Sequence, residues 1–373
     1  MKISMGDEEQ LASALAARFP GLERLREAAG QTPLYLVGGA VRDLLLEDPR
    51  GDVDVVVEGD AAALARALDG DPIEHERFAT AKATVNGLAV DLARARSETY
   101  SRPGALPDVR PATLAEDLAR RDFTINAMAI PLQGQPRLID PHGGSADLAA
   151  GLLRVLHERS FRDDPTRALR AARYAARLGF ALEAGTEAML RGADLGTVSA
   201  DRRRAELARL AAERAAVRGF ELLREWGLLA LDEEEIALLR GLDELLADQP
   251  WSEVAARDRT LLAAALGETG RASALAAADP GRPSEGVDAA RGASAEELAI
   301  GRAMGGAWLD DYVSEWRSVV LAIDGSELIA AGVPEGPAVG RGLRAALAGK
   351  LDGEISSREE ELAVALEAAR GER

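Results

Sequence analysis

Leu36-Val37-Gly38-Gly39-Ala40-Val41-Arg42-Asp43, followed shortly by Gly51-Asp52-Val53-Asp54-Val55-Val56-Val57, is the stretch on which the reading of this chain turns. The apolar run ending at Val37 predicts a strand, the paired glycines a tight turn, and the residues after them a helix. The second segment predicts another strand, opening on two aspartates at i and i+2. Strand side chains alternate between faces, so Asp52 and Asp54 are expected on one face, roughly 6–7 Å apart at about 3.3 Å of rise per residue. Two carboxylates on a rigid face suit a hard divalent cation such as Mg²⁺. A glycine turn leading into a helix lets backbone amides approach phosphate oxygens. Taken singly, each feature has a plainer reading, a solvated turn for Asp-x-Asp and a simple strand-to-helix turn for Gly38 and Gly39. Together they point to a metal-dependent reaction on a nucleoside triphosphate. No Gly-x-Gly-x-x-Gly occurs here, which disfavours a dinucleotide site.

Working outward, residues 7–29 predict one amphipathic helix ending near Gly30. Strands at about 34–37 and 53–57 flank a helix over 40–47, and residues 61–68 are helical. Ala83 to Leu92 predicts a hairpin turning at Asn86-Gly87, whose second arm carries Asp91. Asp52, Asp54 and Asp91 on neighbouring strands could hold two metal ions about 3.5–4 Å apart. Residues 101–111, with three prolines and a glycine, predict an irregular loop. A helix over 113–120 leads into Arg120-Arg121-Asp122-Phe123-Thr124-Ile125-Asn126-Ala127-Met128-Ala129-Ile130, whose tail predicts a buried segment. After about residue 145 strand signals fade and Ala/Leu/Arg/Glu helices take over, with 279–294 reading as a linker. The expected fold class is α+β, a small mixed α/β head followed by a long all-helical neck, body and tail, divided at 1–145, 146–215 and 216–373.

A chain of 373 residues exceeds one ordinary core. The absence of cysteine excludes disulfides, thiolate metal sites and a cysteine nucleophile, and His75, His142 and His157 are too scattered for a histidine metal cluster. No apolar run approaches the roughly 18–20 residues of a membrane span, so a soluble cytoplasmic protein with no membrane partner is expected. The net charge of −18 argues against a nucleic-acid partner only until its distribution is considered. Arginines 154, 159, 162, 167, 170, 173 and 177, continued by 202–204, 209, 214 and 218, form a basic middle, while acids concentrate at 232–235 and 359–361. Such a middle is compatible with a phosphate-backbone partner, and equally with ordinary solvated helix faces.

The motifs at 36–46 and 51–54 resemble the signature of class II tRNA nucleotidyltransferases and bacterial poly(A) polymerases, within the polymerase β superfamily. Arg120 to Ala129 resembles that family's second motif. Asp140-Pro141-His142-Gly143-Gly144 is similar to its head-to-neck junction, and Phe161-Arg162-Asp163-Asp164-Pro165-Thr166-Arg167 through Tyr174 to its nucleotide-recognition motif. The matches run in family order over about residues 34–215. The resemblance implies that Asp52 and Asp54 are metal ligands and that Asp91 orients or deprotonates the primer 3′-hydroxyl. It places Gly38, Gly39 and Arg42 on the triphosphate, Arg42 by a forked contact, and Arg121, Asp122 and Asn126 near ribose and phosphates. Asp43, in the first turn of its helix, also has a simple role against the helix dipole, and Arg120 is expected to be solvated or RNA-facing.

Locally, Asp164 before Pro165 predicts an N-cap with proline at the first helical position, and Asp164 and Arg167 are neighbours at i, i+3. The bland reading of that pair is a surface ion pair. The resemblance implies that the two side chains are held together to present hydrogen-bonding edges to the incoming base. Arg170, Arg173 and Arg177 follow along the helix, either on RNA phosphates or simply exposed. Asp163 stands where the family usually has Glu, and the 101–111 loop lies in the region that helps such enzymes switch from C to A addition.

The expected function is addition of CCA to a tRNA 3′ acceptor end from CTP and ATP, without a nucleic-acid template and with no DNA partner. Addition of A alone and poly(A) synthesis are alternatives within the class, and a catalytically silent RNA-binding protein is one outside it.

Overall fold

The computed structural model describes residues 8–48, 53–69, 72–75 and 80–371; Gly51 and Asp52 lie outside the described residues. The chain divides into two compact units, Met1–Leu210 with Leu222–Leu229, and Ala211–Glu221 with Ala230–Arg373.

The first unit opens with α1 (Glu8–Arg18) and α2 (Leu22–Ala29) in place of one helix over 7–29. Pro20 removes a helical donor at the break. Gly21 packs so closely that a Cβ there would lie 2.7 Å from Val85 Cγ1. Strand β1 (Leu34–Val37) leads through Gly38 to α3 (Gly39–Leu45), and β2 (Val53–Val57) is followed by α4 (Ala61–Leu68). Next come β3 (Ile73–His75), β4 (Thr80–Val85) and β5 (Leu88–Arg94). Asn86 and Gly87, at φ 51° and 79°, make the tight turn between β4 and β5. Strands β6 (Arg96–Thr99) and β7 (Asp108–Pro111) pair antiparallel, so the expected loop is irregular only at its tip. Pro111 ends its strand, where a missing donor is tolerated. Then follow α5 (Leu114–Ala119), capped reciprocally by Thr113 and Glu116, a single 3-10 turn over Thr124–Asn126, and β8 (Ala129–Pro131).

Six of these strands form one mixed sheet in the order β3-β4-β5-β2-β1-β8, with only the β2–β5 pair parallel. Val55, Val56 and Val57 leave at most 1% of their surface exposed, as β-branched residues in a central strand should. Beyond the sheet, α6 (Gly144–Ala150), α7 (Ser160–Asp163), α8 (Thr166–Leu178), α9 (Ala184–Leu190) and α10 (Ala200–Ala211) take over. Among the described residues, the named strands past residue 145 are a two-residue parallel pair, β9 (Leu152–Leu153) with β10 (Ala181–Leu182). Asp140 accepts from the backbone amides of Gly144 and Ser145 at 2.7 and 2.9 Å, which fixes the entry to α6.

The second unit is helical. Its Pro283–Ala290 helix occupies the stretch read as a linker, with Pro283 in the first turn, where its missing N–H is harmless. Helices Pro337–Leu351 and Arg358–Arg370 approach so closely that a Cβ on Gly342 would lie 2.4 Å from the Ala365 carbonyl. Beneath them the Glu361 side chain, 1% exposed, pairs with Lys350 at 2.6 Å and accepts from the Ala322 amide at 2.6 Å. Among the described residues no helix is long and apolar enough to cross a membrane. Replacing Glu361 by Ala should strip partners from one ammonium and one buried amide, lowering unfolding free energy by about 2–3 kcal/mol in urea titrations. A change below about 0.5 kcal/mol would contradict this account of the unit's core.

Candidate active site

Alternation along three adjacent strands builds the reactive face. Val53 and Val55 are buried around Asp54, Val90 and Leu92 around Asp91, and Ala81 and Ala83 around Lys82, leaving the three polar side chains on the opposite face. Register then aligns them, with Asp54 opposite Asp91 across the parallel pair and Lys82 opposite Asp91 across the hairpin. The Lys82 ammonium sits 3.0 and 3.2 Å from the two Asp91 carboxylate oxygens. Asp54 and Asp91 stand one strand spacing apart, about 4.8 Å, and offer only oxygen donors in partly open surroundings, which fits a hard divalent cation. Among the described residues no group of three or more His, Cys, Asp or Glu side chains gathers as a metal site. Asp52, expected as a ligand beside Asp54, is outside the described residues.

The glycine turn lies at the C-terminal end of β1, next to β2 in the sheet. Gly38 has φ 66°, which favours glycine, and a Cβ there would lie 2.6 Å from Arg121 Nη1. Gly39 opens α3. Arg121 thus sets a guanidinium against the turn while donating to the Asn126 carbonyl at 3.3 Å and to Asp117 at 2.9 Å.

Arg42 is 2% exposed, and its fork is turned toward side chains of the interior. Nε donates to Asp43 Oδ1 at 2.8 Å and Nη1 to Asn126 Oδ1 at 2.7 Å. Asn126 in turn donates to Asp122 at 3.0 Å, Arg170 donates to the other Asp122 oxygen at 2.8 Å, and Arg177 reaches Asp43 at 3.0 Å. The Tyr174 ring lies under the guanidinium carbons of Arg42, Arg170 and Arg173 at 5.1, 5.6 and 4.6 Å, and meets the Phe123 ring edge-on at 5.9 Å. Arg170 and Arg177 therefore tie α8 to the head, and neither is plainly exposed. Burial alone would raise the Asp122 carboxyl, but the Arg170 charge and the hydrogen bonds from Asn126 and Arg170 hold it far below the usual carboxylate range. Asp117 is likewise held low against burial by Arg121 and Arg120.

Arg120, expected to be solvated or RNA-facing, pairs with Glu98 and Asp117, both at 2.7 Å. The base-selecting pair also departs from expectation. Asp164 precedes α8 in an extended conformation (φ −133°), so helical i, i+3 geometry does not apply to it. Its carboxylate accepts from the Thr166 amide at 3.1 Å, a cap displaced by one residue, and pairs with Arg202 at 3.0 Å. Arg167 donates instead to Ser160 Oγ at 2.6 Å and to the Arg120 carbonyl at 2.7 Å. Among the described residues Asp164 and Arg167 form no ion pair with each other. Arg202 also donates to the Gly104 carbonyl at 2.8 Å, tying the hairpin tip to α10. Asp163 pairs with exposed Arg159 at 3.0 Å. Lys82, Asp117 and Arg202 were not singled out from sequence. Counting outward from the Asn86-Gly87 turn sets Lys82 opposite Asp91, and the i, i+3 and i, i+4 spacing of Asp117 to Arg120 and Arg121 marks those ion pairs, so both were legible; Arg202 meets Asp164 across 38 positions, with no local signal.

Residues 34–154 match the family model for the Poly A polymerase head domain. Over 363 residues the chain is 38% identical to a CC-adding tRNA nucleotidyltransferase of Deinococcus radiodurans, covering 90% of this chain and 89% of that protein. Over 174 residues it is 47% identical to an A-adding tRNA nucleotidyltransferase of Halalkalibacterium halodurans, covering 44% of this chain and 41% of that protein. The chain spans 41%, 20% and 45% of the length of three A-adding relatives. Among solved structures, the Thermotoga maritima CCA-adding enzyme complexed with tRNA_CCA superposes with a TM-score of 0.73 at 28% identity, covering 95% of this chain and 97% of that one.

Asp122→Asn should weaken the tie between α8 and the head by about 2 kcal/mol at pH 7. Because the folded carboxyl is depressed, its contribution is complete above the ordinary value of about 4 and is lost as pH falls through the lower folded value. The stability gap between parent and variant should therefore narrow in acid below about pH 4, as read by denaturant titrations across pH. Equal stabilities at pH 7 would contradict the assignment.

Proposed function

The chain belongs to the class II tRNA nucleotidyltransferases, and on that premise we propose that it adds CMP and AMP to the 3′ end of tRNA from CTP and ATP, completing CCA without a nucleic-acid template. The observation that carries this reading is the alignment of Asp54 with Asp91 on adjacent strands, one strand from the glycine turn. The 3′-hydroxyl attacks the α-phosphate in line and pyrophosphate departs. Asp91 orients the hydroxyl, and the amides of Gly38 and Gly39, with the Arg121 guanidinium beside them, cradle the triphosphate. Arg42 holds the turn from within through Asp43 and Asn126. Mg²⁺, held by Asp52 and Asp54, would acidify the hydroxyl and neutralise triphosphate charge when bound. Asp164 and Arg167 supply the fixed acceptor and donors that select the base, with Asp122, Arg170 and Arg173 supporting them. Residues 1–145 carry the chemistry, 146–215 the choice of nucleotide and 216–373 the grip on tRNA, in the cytoplasm.

A narrower reading, addition of A alone, is favoured by the higher identity to A-adding relatives, 47% over 174 residues and 51% over 165. Incubating tRNAs that lack CCA, CA or only A with CTP, ATP or both separates the two. The CCA reading predicts complete ends from every primer when both nucleotides are present. Extension of the CC-ended primer alone would select A addition, and no incorporation at all would contradict both. Asp54→Ala should lower incorporation by about 10³-fold or more while tRNA binding in a filter assay stays within about twofold. Asp164→Ala should shrink the preference for C and A over G and U by about tenfold or more in competition assays; unchanged selectivity would reject its role in base choice.

A further inference from the structure

Lys82 is a cation placed at the end of the reactive row. Across the sheet the order is Lys82 on β4, Asp91 on β5, Asp54 on β2, and then β1 with its glycine turn. The triphosphate cradle thus lies on one flank of the carboxylates and Lys82 on the other. Three strand spacings separate β4 from β1, about 14 Å, beyond what a four-carbon side chain spans. In an in-line transfer the attacking hydroxyl and the leaving pyrophosphate lie on opposite sides of the α-phosphate, so the flank away from the triphosphate belongs to the RNA.

The residue type fits that place. Lys2, Lys82 and Lys350 are the chain's three lysines among 45 basic residues. Arginine would grip Asp91 bidentately, whereas an ammonium is a compact charge on a flexible stem that can change partners. The Lys82 side chain is 59% exposed and that of Asp91 35%, so their ion pair is worth little and is readily exchanged. An RNA end entering beside paired carboxylates meets repulsion that a local cation offsets.

We propose that Lys82 binds the terminal phosphodiester of the RNA 3′ end, exchanging Asp91 for phosphate and so setting the 3′-hydroxyl beside Asp91. This rests on the nucleotidyltransferase reading. The test uses full-length Lys82→Met and Lys82→Arg with CC-ended tRNA and ATP, each varied in turn. The expected result for Lys82→Met is a KM for tRNA raised about tenfold with the KM for ATP within about twofold, and a KM only partly restored in Lys82→Arg, whose fork holds Asp91 more firmly. Anisotropy of 5′-labelled tRNA in EDTA should show the salt slope of binding reduced by about one. A raised KM for ATP, a fall in kcat alone, or kinetics and salt slope identical to the parent would each overturn the proposal. No incorporation by the parent protein on any primer would overturn the underlying reading, and the Lys82 assignment with it.

Discussion

Arg42 enters the interior with 2% of its surface exposed, and that burial sets the terms for everything around it. A guanidinium removed from water must find acceptors for its donors or destabilise the fold by several kcal/mol. Asp43 and Asn126 meet that need, Asn126 engages Asp122, and Asp122 and Asp43 are held in turn by Arg170 and Arg177. The chain of contacts starts one turn after the glycine pair and ends on α8, in the segment that carries Arg167. The helix proposed to choose the base is therefore bonded, charge to charge, to the turn proposed to hold the triphosphate. Tyr174 caps the arrangement with a ring shared by three guanidiniums.

The same wiring bears on the contrast between a net charge of −18 and a proposed RNA substrate. Arg42, Arg120, Arg170 and Arg177 are committed to carboxylates within the first unit. Their charges hold the site together. Lys82, whose side chain is 59% exposed, is the better candidate for a contact that is made and broken in each cycle.

Much of the sheet was legible because its signals are local. The double glycine, the Asn86-Gly87 turn and the valine run of β2 each specify backbone conformation within a few residues, and the Thr113/Glu116 cap fixes the start of α5. The break at Pro20-Gly21 was missed because apolar periodicity continued across it, while close packing against Val85 decides the matter. The Asp164–Arg167 pairing failed for a related reason. Spacing of i, i+3 brings side chains together only when both are helical, and Asp164 stands outside α8, where Arg202 from α10 reaches it. The inward turn of Arg42 was illegible, since its partner Asn126 lies 84 positions away along the chain.

The central claim, that phosphate cradle and base-selecting helix are one bonded unit, is tested most directly by a double-mutant cycle on Asp43 and Arg177. The quantity measured is kcat/KM for ATP on CC-ended tRNA in Asp43→Asn, Arg177→Gln and the combined variant. The account predicts strong non-additivity, a coupling of about 1 kcal/mol or more. Effects that add to within about 0.3–0.5 kcal/mol would contradict it.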